Sequence, residues 1–289
     1  MRILITGAFG QLGHALQSVL SKKSNYELIC TGRKVKKGQE GIPLDIRNQV
    51  ALKELINTTA PDILINLAAM TNVDACELNP KLAGEINVAG LQHICDSFKG
   101  KIIHLSTDYV FDGTSGPYKE DDPLNPISIY GKTKLASEHI LLEKDIKNLV
   151  IRGNVLYDYS PHTSASFLNW VVSSLKGNQE IKVVEDQFNN PTWTRSMSDI
   201  IELSIENDLE GIIHWGDSEH ISRFEFAKLI AKKFSLNESL IKPVLTSELN
   251  QPARRPLQSG LSTEKLVNML DIIPPSIDDC LDEIIKTIQ

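Results

Sequence analysis

Tyr130 and Lys134, in the run Tyr130-Gly131-Lys132-Thr133-Lys134, stand four residues apart in a stretch whose pattern predicts a helix. Their side chains therefore emerge from one face. Of the six tyrosines, Tyr130 alone has a lysine four positions on. A phenol titrates at about 10 in isolation, and a fixed neighbouring cation brings it toward the working range of a proton donor. Such a group can protonate a carbonyl oxygen while a hydride reaches the carbon. Upstream lies Ser106-Thr107-Asp108-Tyr109-Val110-Phe111, directly after the strand-like KIIHL. That position is the C-terminal edge of a parallel sheet, where ligands bind. Ser106 or Thr107 is placed to hold a substrate oxygen against Tyr130; capping a turn is the plainer role for the same hydroxyls.

A second cluster opens the chain. RILIT runs into Gly7-Ala8-Phe9-Gly10-Gln11-Leu12-Gly13 and then a helical pattern. A glycine turn between a buried strand and a helix N-terminus lets backbone N–H groups approach a pyrophosphate. A tight turn alone needs only one glycine. Gly7, Phe9, Gly10, Gln11, Leu12 and Gly13 are thus candidate dinucleotide contacts. After the second strand, where an acid would bind an adenosine ribose, the chain reads Cys30-Thr31-Gly32-Arg33-Lys34. Arg33 there accommodates a 2′-phosphate, which favours NADPH over NADH. Asp45, with Ile46 beside it, follows GIPL and is placed to reach the adenine.

These residues need a scaffold. Up to about residue 151, apolar runs (RILIT, YELICT, DILINLA, KIIHLS, NLVIR) alternate with amphipathic stretches at 11–20, 50–57, 82–98 and 129–142. Strand–helix alternation with nearly continuous apolar strands predicts a Rossmann-type, doubly wound parallel sheet covered on both faces. The rhythm then breaks, punctuated by Pro161, Pro191, Pro243, Pro252, Pro256 and Pro274-Pro275. Helical patterns at 167–175 and 224–234 and strand patterns at 181–184 and 211–215 keep this part ordered. The expected division is a dinucleotide-binding domain at 1–154 and a smaller mixed α/β substrate-binding region at 155–289, some of whose elements return to the first.

Composition narrows the function. The chain has 289 residues, 41% of them hydrophobic, and a net charge of −7. A sizeable core is affordable at that length, and no basic stripe offers itself to nucleic acid. No run approaches the ~20 apolar residues of a membrane span. Cys30, Cys76, Cys95 and Cys280 are scattered without a CxxC pair. They read as buried thiols of a reducing, cytoplasmic compartment, with neither zinc site nor disulfide framework. The seven histidines form no ligand-spaced cluster, so no metal is expected. Helices of such domains often pair across a two-fold axis into a homodimer, although no single face announces itself.

With the glycine loop, LAAMTNVDACE, STDYVFDG and YGKTK in order, the chain resembles the extended short-chain dehydrogenase/reductases, and within them the dTDP-4-dehydrorhamnose reductase family. Asp186-Gln187, Pro191-Thr192 and Arg254-Arg255-Pro256-Leu257-Gln258-Ser259 extend the resemblance over essentially the whole chain. It implies a Thr107, Tyr130, Lys134 catalytic set, with Lys134 also touching the nicotinamide ribose. It implies reduction by NADPH of the 4-keto group of a nucleotide-activated 6-deoxysugar, dTDP-4-dehydro-L-rhamnose giving dTDP-L-rhamnose, in polysaccharide biosynthesis. By the same resemblance Ala68 and Ala69 line the cofactor, Asn87 braces the sheet, Ser106, Asp108 and Tyr109 face the sugar, and Arg255 meets the diphosphate as a guanidinium fork. One departure stands out. Where the family has a tryptophan that packs on the sugar, this chain has Val155, and Asp158 follows where the family has glycine.

Two other functions compete. Relatives in the family include the regulatory β-subunit of methionine adenosyltransferase, and Val155 with Asp158 would suit a cofactor-binding subunit whose substrate pocket is lost. Intact Thr107, Tyr130 and Lys134 argue against it. An epimerase or dehydratase of a sugar nucleotide would keep the fold, but dehydratases of this kind supply an acid pair beside the threonine. Here a single Asp108 precedes Tyr109.

Overall fold

The central strands of the main sheet are apolar runs that turn polar at their C-terminal ends, and this grading positions everything that follows. The computed structural model describes residues 1–144, 146–159 and 166–288, so Pro161 lies outside the described residues. Its first half contributes β1 (Arg2–Thr6), α1 (Gln11–Leu20), β2 (Glu27–Gly32), β3 (Ile42–Pro43), α2 (Gln49–Thr59), β4 (Ile63–Asn66), α3 (Val73–Leu78), α4 (Pro80–Gly84), α5 (Gly90–Ser97), β5 (Lys101–Thr107), α6 (Ile129–Leu142) and β6 (Leu149–Gly153). The segment expected as one helix at 82–98 is a stack of α4, a π turn at Glu85–Ala89 and α5. A π turn inserts a residue into the helical ladder, which the apolar spacing does not reveal.

Later come β7 (Leu156–Tyr157), α7 (Phe167–Lys176), β8 (Ile181–Val184), β9 (Phe188–Asn189), β10 (Thr192–Trp193), α8 (Thr194–Glu206), β11 (Gly211–His214), β12 (Ile221–Ser222), α9 (Arg223–Lys233), β13 (Ile241–Val244), α10 (Glu264–Leu270) and α11 (Ile277–Ile288). The seven-stranded sheet runs β11-β6-β5-β4-β1-β2-β3. All its pairs are parallel, the Rossmann-type architecture expected. β11 comes from the second half of the chain, and α8 packs on α1. The larger unit is therefore completed by residues beyond 154. The smaller unit gathers Tyr157, α7, α9 and α11 around β8 and β13 in a separate apolar cluster.

Side chains alternate along a strand, and in-register neighbours of a parallel sheet share a face. One face carries Ile3, Ile5, Ile103 and Ile151 toward α1 and α8. The other carries Leu4, Leu64, Ile102 and Val150 toward α2 and α5. Two residues further along this second face stand Thr6, Asn66, His104 and Arg152, all buried. Thr6 is in register with Asn66, and Asn66 with His104. Ser106, Arg152 and His214 form the next row. α6 lies over both.

Burial of these groups demands partners. Arg152 is 0% exposed and meets Glu138 of α6 with Nη2–Oε2 at 2.7 Å and Nε–Oε1 at 3.0 Å. Nη1 of Arg152 lies 3.2 Å from His214. Burial and the Arg152 charge hold His214 down at about 3, so it stays neutral. The pair bolts α6 to β6.

Glu138→Gln removes the one carboxylate that neutralises Arg152 and is expected to lower the unfolding free energy by about 3–5 kcal/mol. Urea unfolding followed by circular dichroism checks this; a midpoint unmoved from wild type would mean that the fold does not depend on the pair.

Candidate active site

β5 delivers Thr107 to the sheet edge, and a 3-10 turn at Asp108–Val110 follows. Thr107 Oγ1 donates to Asp108 Oδ1 at 3.0 Å and accepts from the Tyr109 N–H at 3.3 Å. Opposite, α6 presents Tyr130 and Lys134 from one face. The Tyr109 and Tyr130 rings meet edge to face with centroids 5.5 Å apart. Lys134 is buried, and its ammonium donates to the Leu105 carbonyl at 2.7 Å and lies 2.9 Å from His104 Nε2. The structure thus brings Thr107, Tyr130 and Lys134 to one cleft.

Desolvation dominates the electrostatics. Burial pushes the Tyr130 phenol upward, and the Thr107 hydroxyl only partly offsets it. The expected downward pull of the lysine is not among the influences on the phenol, and Tyr130 holds its proton at neutral pH. Burial pulls Lys134 down to about 8, against the Glu138 charge, which raises it. Desolvation also raises Asp108, with the Ser259 and Thr107 hydroxyls opposing.

Local sequence explains the placement of α6. Ser128 caps the helix by accepting from the Gly131 N–H at 3.2 Å, and the free Ile129 N–H donates to Glu77 at 3.0 Å. Asn87, in the π turn, accepts from the Met70 N–H at 2.7 Å and donates to the Met70 carbonyl and to Thr133 Oγ1. It clamps the loop after β4 to α6. Gly131 separates the two catalytic candidates because α6 rides on the turn after β5: a Cβ there would sit 2.1 Å from the Tyr109 carbonyl oxygen.

On the dinucleotide side, Gly7 has φ +72° and a Cβ on it would fall 2.7 Å from Ala68 N, so the first loop and the loop carrying Ala68 and Ala69 close on each other at a glycine. Phe9 lies over Gly32, Gly10 is exposed, and Leu12 and Gly13 are buried under the loop. Gln11 Nε2 is buried with no partner among the described residues. A cradle that a side chain would fill and an orphaned donor beside it fit a phosphate-bearing dinucleotide. Arg33 is exposed with no carboxylate paired to it among the described residues, as a 2′-phosphate site requires. Asp45, 30% exposed, pairs with Arg47 at 2.6 Å, whose hydrogen bonds hold its pKa down and tie it to its own loop. Ile46 buries its side chain against the Gly90 backbone, leaving no side-chain surface for a cofactor.

On the substrate side the assignments need two corrections. Ser106 and Thr107 are adjacent in a strand and point oppositely; the Ser106 hydroxyl donates to Glu138 and belongs to the buried ion pair. Asp108 is 1% exposed and accepts from Thr107 and, at 2.7 Å, from Ser259. It braces the catalytic turn and does not face a ligand. Tyr109 stands at the cleft. Val155 follows β6 with φ +34°, unusual for a β-branched residue. Arg255 is held by Asp74 at 2.8 Å, with Asp74 also accepting from the Ala253 N–H. Asp74, His104 and Ser259 were not expected; the only trace of them in the sequence was a polar residue inside each motif without an assigned task.

Comparison with known proteins agrees with this geometry. The family described as the RmlD substrate binding domain matches residues 1–289. The chain is 31% identical over 288 residues to a dTDP-4-dehydrorhamnose reductase of Aggregatibacter actinomycetemcomitans, spanning 94% of each. It is 31% identical over 277 residues to methionine adenosyltransferase 2 subunit beta of Xenopus laevis, covering 93% of this chain and 82% of that one. Among solved structures, a dTDP-4-dehydrorhamnose reductase of Bacillus anthracis in complex with NADP has a TM-score of 0.90 at 30% identity, over 99% of both chains.

Gly131→Ala forces α6 away from the Tyr109 carbonyl. The expected cost is about 1–3 kcal/mol of stability by overpacking, seen as a lowered thermal midpoint; an unshifted midpoint would show that the turn yields freely.

Proposed function

Because this chain belongs to the RmlD substrate-binding-domain family from residue 1 to residue 289, we propose that it reduces the 4-keto group of a nucleotide-activated 6-deoxysugar with NADPH. The substrate that fits best is dTDP-4-dehydro-L-rhamnose, giving dTDP-L-rhamnose. The observation that carries this reading is the convergence of Thr107, Tyr130 and Lys134 in one cleft beside a phosphate cradle. The Bacillus anthracis neighbour, solved in complex with NADP, supports the cofactor, and exposed Arg33 supports the 2′-phosphate form. The four free thiols accord with a cytoplasmic seat.

NADPH, when bound, supplies the hydride that becomes the new C–H bond at C4. Tyr130 donates its phenolic proton to the keto oxygen, which stays on C4 and becomes its hydroxyl. The Thr107 hydroxyl, turned from Asp108, donates to the same oxygen and fixes it at the phenol. Lys134 remains an ammonium beside the phenolate that forms and stabilises it. Arg255, braced by Asp74, meets the diphosphate.

The likeness to methionine adenosyltransferase 2 subunit beta supports a second reading, an NADP-binding subunit without turnover. One experiment separates them: the purified protein is mixed with NADPH and enzymatically prepared dTDP-4-dehydro-L-rhamnose, and nicotinamide absorbance is followed. Oxidation by wild type with a loss of about 10²–10⁴-fold in Tyr130→Phe supports the reductase. Tight NADPH binding without oxidation of any keto-sugar nucleotide supports the second reading.

Two further outcomes are expected. The ammonium form of Lys134 is lost as pH rises through about 8, so kcat falls on that alkaline side and is level below it; a rate that keeps rising to higher pH would contradict the role given to Lys134. Arg33→Ser removes the cation for the 2′-phosphate and should narrow the preference for NADPH over NADH about tenfold. Comparing kcat/KM for the two cofactors reads it directly, and an unchanged ratio would assign the preference to other residues.

A further inference from the structure

His104 is buried and neutral, held well below its ordinary pKa by desolvation and by the Lys134 charge. The mechanism above gives it no part. Yet its ring sits between Lys134 and a row of polar side chains crossing the sheet. Nδ1 lies 3.0 Å from Asn66 Nδ2, and Asn66 Oδ1 accepts from Thr6 Oγ1 at 2.6 Å. Nε2 lies 2.9 Å from Lys134 Nζ and 3.1 Å from Ser137 Oγ. The Ser137 proton is given to the Lys134 carbonyl at 2.6 Å, so Ser137 faces the imidazole as an acceptor.

A neutral imidazole carries one proton, and here that proton has consequences. On Nδ1, it leaves Nε2 with a lone pair for the Lys134 ammonium. On Nε2, it goes to Ser137, and Lys134 can remain close only as a neutral amine. The Asn66 amide as placed turns its Nδ2 to the His104 Nδ1, which suits the second state; half a turn of it gives the first, since the Thr6 hydroxyl can donate or accept. The first contains an ammonium-to-imidazole bond, which is about twice as strong as a neutral one. With its other fixed contact at the Leu105 carbonyl, the ammonium is thereby aimed into the cleft.

We propose that His104 is a positioning residue: through Nε2 it holds Lys134 beside Tyr130 and keeps it in the charged form. Among the described residues, the titratable groups acting on this lysine are His104 from β5 and Glu138 from its own helix, with Glu138 engaged by Arg152 of β6 and Tyr130 one turn before on the same helix face. Asp108, Tyr109 and, from α3, Cys76 surround Tyr130. Among these His104 is the one that touches the ammonium with a lone pair.

The catalytic meaning rests on the proposed reductase, but the test does not. The full chain is labelled with [ε-¹³C]lysine, Lys134 is assigned with Lys134→Arg, and its signal is titrated without substrate. His104→Asn keeps a polar group opposite Asn66 but stops short of Nζ; His104→Gln restores an acceptor near the place of Nε2. The wild-type midpoint is expected at about 8, with His104→Asn lower by about one pH unit and His104→Gln close to wild type. The alkaline limb of kcat, where activity is found, should move with it. A His104→Asn midpoint equal to or above wild type, in a protein whose thermal unfolding remains cooperative, overturns the proposal. A midpoint lowered equally in His104→Gln also overturns it, because the loss would then be of packing and not of the acceptor.

Discussion

The site depends on two buried cations on the underside of one helix. Lys134 of α6 reaches down to the β5 backbone and His104, and Arg152 of β6 reaches up to Glu138 of α6. Neither cation reaches water, so each must be satisfied in place, and their partners leave α6 little freedom to slide along the sheet. The phenol of Tyr130, one turn before Lys134, inherits its position from that constraint. Thr107 inherits its own from β5, the strand that anchors the same lysine. The candidate catalytic groups from two elements are thus registered by bonds made beneath them.

Why polar groups can occupy this depth follows from the sheet. β1, β4, β5, β6 and β11 each spend their first residues on apolar core and turn polar toward the C-terminal edge, at Thr6, Asn66, His104 with Ser106, Arg152 and His214. Parallel register lines these up in rows, so Thr6 bonds Asn66, Asn66 meets His104 and Arg152 meets His214 one strand away, while Ser106 bonds Glu138 of α6. A single such residue would be an unpaid desolvation; in a row they satisfy one another.

Much of this was legible in the sequence, and the rest was hidden for identifiable reasons. Strand–helix alternation, the glycine loop and the Tyr130–Lys134 spacing are local patterns, and local geometry fixed them. The return of β11 to the sheet, the Asp74–Arg255 tie and the Ser259–Asp108 bond join residues far apart in sequence, which no local period encodes. Ser106 was misplaced although the information was present: period two along β5 puts it with His104 and against Thr107. The Asp45–Arg47 pair was not foreseen because Arg47 is a local charge with many possible uses. Asp158, which read as the trace of a lost pocket, accepts from the Thr194 hydroxyl and the Tyr159 N–H and holds the chain after β7. Val155 is a small, β-branched side chain held on a strained, positive-φ backbone.

Burial, finally, gives the site a chemical direction. Desolvation favours the uncharged form of every group it touches, so it raises Tyr130 and lowers Lys134. The two shifts have unequal consequences at neutral pH. Tyr130 moves further from its titration and is protonated; Lys134 moves toward neutrality but, at about 8, keeps its charge. A cleft in that state contains a proton to give and a cation to stabilise the anion left behind. An alcohol oxidation would need the phenolate at the outset, which burial opposes. The same removal of water that makes the buried ion pairs costly therefore sets a resting protonation that suits the proposed reduction of a carbonyl, before any cofactor contributes its own preference.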